Sequence, residues 1–447
     1  MKIRVNINHR EVASVLLIAL VSASVIGLVL ASFLMLIRAQ NVATMRAQAW
    51  NTALTVSEAG IEEAMTHLNT NGSTNWAANG WTLTDDVYVK SRDFTNYAWS
   101  ASISPTDPPT ITCTGYVATV VNGSFFAAVN LPANKASSAS RAVRVNTAKD
   151  GLFTKAMVAK DTIDLQGNNI KTDSFDSTNP LYSTNGFYDP NPNKLKDNGD
   201  IATNSGIINS INVGNADIWG HASTGPNGSV AVGANGAVGS KAWHMGGNNG
   251  VEPGWVKDDM NVAFPDITAP FTSGFNPSSG SVGGTNYTYV LGDGNYIMGS
   301  LRMSGQNKMY INGHAILYVT NSISLSGQSQ IIIGSGKSLK IYMKGASASI
   351  GGNGIANSTG NAANFAYLGL PTNTSLTFGG NAAFTGVVYA PNANFTLGGG
   401  GNNSYDFIGS SVTKTVTMNG HFNFHFDEAL NNSQWHRGYI AVSWDEI

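Results

Sequence analysis

From Val12 to Ile37 the chain runs 26 residues without a charge, VASVLLIALVSASVIGLVLASFLMLI, between Arg10/Glu11 and Arg38. As a helix this run is about 39 Å long, enough to cross a hydrocarbon core of about 30 Å with some tilt. Val12, Leu16, Leu20, Gly27, Leu30, Phe33 and Ile37 mark the predicted span. A cleaved secretory signal has a shorter apolar core and a small-x-small exit. Here the core is too long and Ala39-Gln40-Asn41 is a poor exit, so the run reads as a retained anchor. Lys2, Arg4 and Arg10 precede it, while only Arg38 and Arg46 follow closely. That bias predicts a cytoplasmic N-terminus and an exported remainder.

The helix is not expected to stop at the membrane. Beyond Arg38 no Gly or Pro occurs until Gly60, and Trp50, Leu54, Ile61, Ala64/Met65 and Leu68 step by threes, fours and sevens. Such spacing gives an amphipathic helix with one apolar stripe. Trp50, Leu54, Ile61, Met65 and Leu68 are the predicted packing seam, as in subunits that associate side by side through N-terminal helices. A single-pass anchor whose helix is a plain stalk is the competing reading.

The remaining texture is that of a turn-rich β protein. Gly numbers 50, charged residues are only 12% of the chain, and the net charge of −2 gives no electrostatic basis for binding nucleic acid. The single cysteine, Cys113, excludes an internal disulfide. It lies in TITCTGYV, which reads as a strand, and is expected to be a small buried residue.

Three segments are predicted: 1–69, the helix; 70–150, a small β-rich domain; and 151–447, an all-β ectodomain. In the second, WTLTDDVYV, YAWSASIS, TITCTGYVATVV, FFAAVNL and ASRAVRVNT are short strands broken by turns. Helix plus small antiparallel sheet makes an α+β arrangement. In the third, an apolar residue followed by Gly and Asn, Gln or His recurs. It appears at Leu165–Asn168, Met303–Gln306, Leu325–Gln328, Ile350–Asn353, Phe378–Asn381 and Met418–His421, with a degenerate copy at Leu397. The steps from Gly305 to Gly327, Gly352 and Gly380 are 22, 25 and 28 residues, followed by two of about 20. Repeats of this length predict a parallel β-helix (β-solenoid), right-handed; a β-sandwich with Gly-rich hairpins is the alternative. Asp173 to Gly280 is loop-like in composition and is expected to decorate the first turns of that solenoid.

The stretch Ser57-Glu-Ala-Gly-Ile-Glu-Glu-Ala64 resembles the N-terminal region of PilX-type minor pilins and related pilin-like proteins. So does the downstream order of TGYV, SRAVRV and GLFTKAMVAKDTIDLQGN, with GVVYAPNANFTLGGGG, HFNFHFDEAL and AVSWDEI near the end. The resemblance implies a bacterial inner-membrane protein with a periplasmic or cell-surface β-helix domain. It also implies other pilin-like subunits as partners through the helix, within a type IV pilus-like or pseudopilus-like assembly. In one respect the chain departs from type IV pilins: no Gly precedes the apolar run, and its nearby acid, Glu11, sits at the boundary and not inside.

Catalysis is not expected. Polysaccharide cleavage on a solenoid needs carboxylates. Gly294 through Tyr405 contains no Asp or Glu, and Gly345 through Tyr405 has no charged residue or His, leaving tyrosines such as Tyr367 and Tyr389. An enzyme would have to recruit its acids from the Asp173 to Asp200 loops. His421, His425 and Asp427 share one predicted strand face, opposite Phe422, Phe424 and Phe426, and read as a solvated face more readily than as metal ligands. Asp189, Asn191 and Asn193, with Asp197 and Asp200, have calcium-like spacing, but Lys194 stands where a calcium loop needs Gly. No cofactor or metal is therefore predicted, and the partners are the membrane, sister subunits and a candidate surface polysaccharide. A membrane-tethered carbohydrate-binding or adhesive module is the alternative function.

Overall fold

A computed structural model describes residues 9–72, 74–118, 138–167, 170–379, 384–398, 405–419 and 422–447. FFAAVNL, His421 and several of the recurrent Gly-Asn corners, among them Gly380-Asn381 and Gly420, lie outside the described residues. The chain divides into two compact units, 1–150 with 438–447, and 151–437. The last ten residues belong to the first unit and not to the second, and helix and small sheet lie in one unit.

In the first unit one helix, His9–Asn71, runs 63 residues without interruption. Its N-terminal part is long and apolar enough to cross a membrane. Thr82–Thr84, Val87–Asp93, Tyr97–Ile103, Thr110–Ala118 and Ser138–Gly151 follow one another in a six-stranded sheet completed by His436–Glu446 at its edge. The first five pair antiparallel. Asp85 and Asp86, both at positive φ, make the tight turn joining the first two. Registers align Ala101, Cys113 and Val143 in one row and Ile103, Ile111 and Val145 in the next. These residues are buried in one cluster with Ile61, Ala64 and Leu68 of the helix.

The second unit is built of parallel ladders, where a sandwich would be antiparallel. One column aligns Leu301, Ile323, Ala348, Leu376, Phe395, Val416, Ile163, Ile211 and Val230. The first eight of these are buried in a continuous apolar core. Steps in this column from Leu301 to Leu376 are 22, 25 and 28 residues, the same as those of the glycine motif. Gly305 and Gly327, at φ of +60° and +70°, turn the chain directly after the buried strands, a conformation Gly adopts at no steric cost. Stacked corner side chains tie successive levels, as where Asn353 Nδ2 donates to the carbonyl of Gln328 at 3.3 Å. Six strands close a ring of parallel pairings: His314–Leu325, Ser338–Met343, Phe365–Gly369, Phe384–Leu397, Ser375–Phe378 and Ser347–Ile350. The ring closes because the two long strands continue around a corner and pair on both sides.

Chain order and stacking order differ. Met157–Leu165 pairs with the late strand Tyr405–Met418, and Ile201–Thr203 and Ile211–Gly214 stack beyond it. Asp173 to Gly280 thus does not decorate the first turns: much of it forms the far levels, in strands of two to four residues too short to show periodicity. From there residues 260–275 travel back along the stack. Met260 N bonds Thr224 O, Val262 N bonds Asn204 Oδ1, Tyr389 Oη donates to Pro265 O, Phe271 meets Tyr318 edge-on, and Phe275 N bonds Asn295 O. The open side of the opposite end is covered by Ser278–Val282, antiparallel to Thr285–Leu291, which shields an otherwise exposed sheet edge.

Candidate functional site

Within the predicted span, Leu16, Leu20, Leu30 and Phe33 project outward and exposed, and Ile37 is half-buried. Gly27 faces open space. Val12 lies in the helix, but its side chain is outside the described residues. Two hydroxyls in this run are satisfied internally: Ser24 Oγ donates to Leu20 O and Ser32 Oγ to Leu28 O, as an apolar solvent favours.

The seam lands largely on the protein's own sheet. Ile61 and Leu68 are buried in the first unit's core, with Leu54 and Met65 partly buried against it. Trp50 is 50% exposed. The closest approach is made by small residues that the stripe of large ones does not include. A Cβ on Gly60 would lie 2.4 Å from Cys113 Sγ, and one on Gly115 would lie 2.2 Å from the carbonyl oxygen of Ala53. Ala53, Ser57, Gly60 and Ala64 therefore form the flat track on which Cys113 and Gly115 sit, the track containing much of SEAGIEEA. Cys113 is fully buried, and burial pushes its thiol up to about 12. Gly115→Ala is expected to destabilise the unit by about 1–3 kcal/mol through overpacking. The readout is a lower urea midpoint of the full chain in detergent; an unchanged midpoint would mean the helix can lift off freely.

At the helix end His67 is buried against Trp76 and Trp81, with ring centroids 4.3 and 5.6 Å away. Burial, with Lys90 close by, holds its imidazole below the ordinary value. Its signal in the sequence was a helical position three residues after Ala64, on the buried face.

In the second unit a cluster of ionisable groups surrounds His425. The imidazole is buried, with Nδ1 2.5 Å from Asp173 Oδ1 and Nε2 3.2 Å from Asp406 Oδ1. Tyr188 stacks on its ring at 3.6 Å and donates to Asp173 Oδ2 at 3.1 Å, and Lys171 Nζ lies 3.0 Å from the same oxygen. Burial opposes charge on both partners, but the Asp173 and Asp406 carboxylates outweigh it and raise His425. His425 and Lys171 likewise outweigh the burial of Asp173 and lower it. The solvated strand face expected for His425 and Asp427 is thus overturned: both are buried, because the strand Lys171–Phe175 pairs alongside them, setting Asp173 beside His425, and Tyr188 stacks over the imidazole. Asp427 accepts from the backbone of Ser177 and Ala429, and burial raises its carboxyl. Phe422, Phe424 and Phe426 are in the core as expected.

The remaining acids of the Asp173 to Asp200 segment are engaged in structure. Asp189 faces Lys194 at 3.1 Å and Asn191 caps Asn193 N, so the calcium-like run is closed by an ammonium. Asp197 accepts from Lys241 N; Asp200 pairs with Lys155 at 2.8 Å and accepts from His221 N. Tyr367 and Tyr389 are not groove residues: both are buried, bonded to Asn373 and Pro265. What the second unit does present outward is an open groove over one column, lined by Arg302, Ser322, Ser324, Ser347, Ser349, Ser375 and Thr377.

A family described as a domain of unknown function (DUF7305) matches residues 271–433, about a third of the chain. The match begins on the returning segment and covers the levels whose order follows the chain. No curated protein and no solved structure matches at a significant level.

Proposed function

We propose that this chain is a non-enzymatic, pilin-like structural protein of the bacterial inner membrane. Its N-terminus lies in the cytoplasm, and residues 151–437 form an exported, right-handed parallel β-helix used in assembly or surface contact. The observation that carries this reading is the continuity of the helix. One 63-residue element leaves an apolar span and, without a break, seats SEAGIEEA on an antiparallel sheet. The all-parallel column of nine levels supports the β-helix, and the right hand is the one favoured for parallel connections. The engagement of the Asp173 to Asp200 carboxylates in ion pairs and backbone contacts supports a role without catalysis.

Orientation is tested by cysteine labelling of intact cells. Thr285→Cys, at an exposed position, should react with an impermeant maleimide, and Ile3→Cys should not. Labelling at Ile3 alone would reverse the topology. The tethered carbohydrate-binding alternative draws on the groove beside Ser322, Ser347 and Ser375, an uncharged hydroxyl-rich surface except at Arg302. Retention of the full chain on neutral polysaccharide, with no association between differently tagged copies, would favour that reading over the pilin-like one.

A further inference from the structure

Between the long helix and the sheet, residues 74–81 are attached by two indoles. Thr74, Asn75, Ala77, Ala78 and Gly80 are exposed, Trp76 is half-buried and Trp81 is buried. The Trp76 ring stands between His67 of the helix, 4.3 Å away, and Tyr88 of the strand Val87–Asp93, stacked at 3.9 Å. Trp81 N donates back to Trp76 O at 2.9 Å and closes the loop. His67 is the anomaly in this stack. It is 4% exposed, yet among the described residues neither ring nitrogen bonds to a protein group. A proton added there would be a buried charge with no acceptor. The neighbouring charges do not help. Residues 74–81 carry no ionisable group. The strand brings Tyr88, Lys90 and Arg92, and the helix brings Glu63, one turn before His67. Glu63 Oε1 already holds both Lys90 and Arg92, so these three groups leave one net positive charge beside the ring.

We propose that His67 is an acid-sensitive latch: a proton on its ring unseats Trp76 and releases residues 74–81 from the end of the helix. Trp76 is the ring that leaves, because it is the more exposed of the two indoles and its departure admits water to the imidazole. What the release uncovers is the edge of the first unit's core, where Leu68 and Trp81 are 3% and 2% exposed. The direction with pH follows from the environment. Burial and Lys90 together outweigh Glu63 and lower His67 in the closed form. Opening is therefore indifferent to pH above about 6.5, the ordinary value. Below it, opening rises by up to about tenfold per pH unit until the closed-state value is passed. The latch is thus shut at neutral pH and loosened by acid.

The test is hydrogen exchange of the full chain in detergent, read by mass spectrometry and corrected for the intrinsic rate at each pH. The reporting amides are Gly80 and Trp81, bonded to Ala77 O and Trp76 O. In the wild type their exchange should quicken at least about fivefold between pH 7.5 and pH 5, while the strand Thr110–Ala118 keeps its protection. His67→Phe keeps a ring in the stack and takes no proton, so its exchange should match the wild type at pH 7.5 and not quicken at pH 5. Lys90→Gln removes the net charge beside the ring and should reduce the rise. Unchanged wild-type exchange overturns the proposal. So does slower exchange at pH 5, which would mean that the indole faces hold the imidazolium by cation–π attraction. An equal rise in His67→Phe overturns it too, by assigning the effect to another group. If His67→Phe is unprotected even at pH 7.5 it has not folded, and Lys90→Gln decides alone: a rise as large as the wild type's overturns the latch.

Discussion

Ile61→Asp unfolds the N-terminal unit, whereas Trp50→Asp leaves it folded. Ile61 is 3% exposed, enclosed with Val143, Val145 and Trp99. The change removes about 1.5–3 kcal/mol of apolar burial and leaves a carboxylate with no partner in an apolar core, which costs several kcal/mol more. Together these approach the whole stability of a small domain, about 5–15 kcal/mol. Limited proteolysis of membranes should lose the protected fragment containing Trp81 to Ala118. A wild-type fragment pattern in Ile61→Asp would show that the helix does not close this core. A double replacement of Leu54 and Ile61 therefore cannot separate folding from association, although the seam's spacing in the sequence suggests it. Trp50, half-exposed, and Met45 are the positions that can.

His425→Ala should destabilise the second unit by about 3–5 kcal/mol, the effect of removing one partner from a buried ion pair. The pH dependence follows from the two shifts. His425 is raised, so its contribution is full below the unfolded value of about 6.5 and is lost as pH rises through the folded one. Asp173 is lowered, so its contribution is full above about 3.9 and is lost as pH falls through the folded value. The pair thus stabilises most between about pH 4 and 6.5. Urea midpoints of the full chain in detergent should decline from pH 6 to pH 9, and the decline should shrink in His425→Ala. An identical slope in the variant would show that the imidazole is not the titrating group.

The long helix was legible because a charge-free run of its length has few other destinations. The glycine motif was legible because corners need a positive φ that recurs with the level spacing. The seam was legible as a stripe but not as to its partner. Periodicity marks large apolar residues, while the sheet approaches most closely over Ala53, Ser57 and Gly60, where the smallness of the side chain is the feature. His425 was misread for a related reason. Alternation along Phe422–Asp427 assigns it an outer face correctly, yet Asp173 and Tyr188, which cover that face, come from about 240 residues earlier. Stacking order was not written in any local pattern at all.

That inverted order constrains how the second unit can be made. Synthesis delivers Met157–Leu165 and Lys171–Phe175 early, but the strands they lie against, Tyr405–Met418 and Phe422–Asp427, emerge near the end. A solenoid whose levels follow the chain can grow by adding each new turn to the one before. Here the early third must wait, unpaired on one side, until roughly 250 further residues are out, and only then can the returning segment 260–275 be drawn along the completed side. Closure of this unit is thus a late, long-range event with a high contact order, and a chain stopped short of residue 405 would strand its earliest strands without a template. Nascent chains of graded length would locate that threshold.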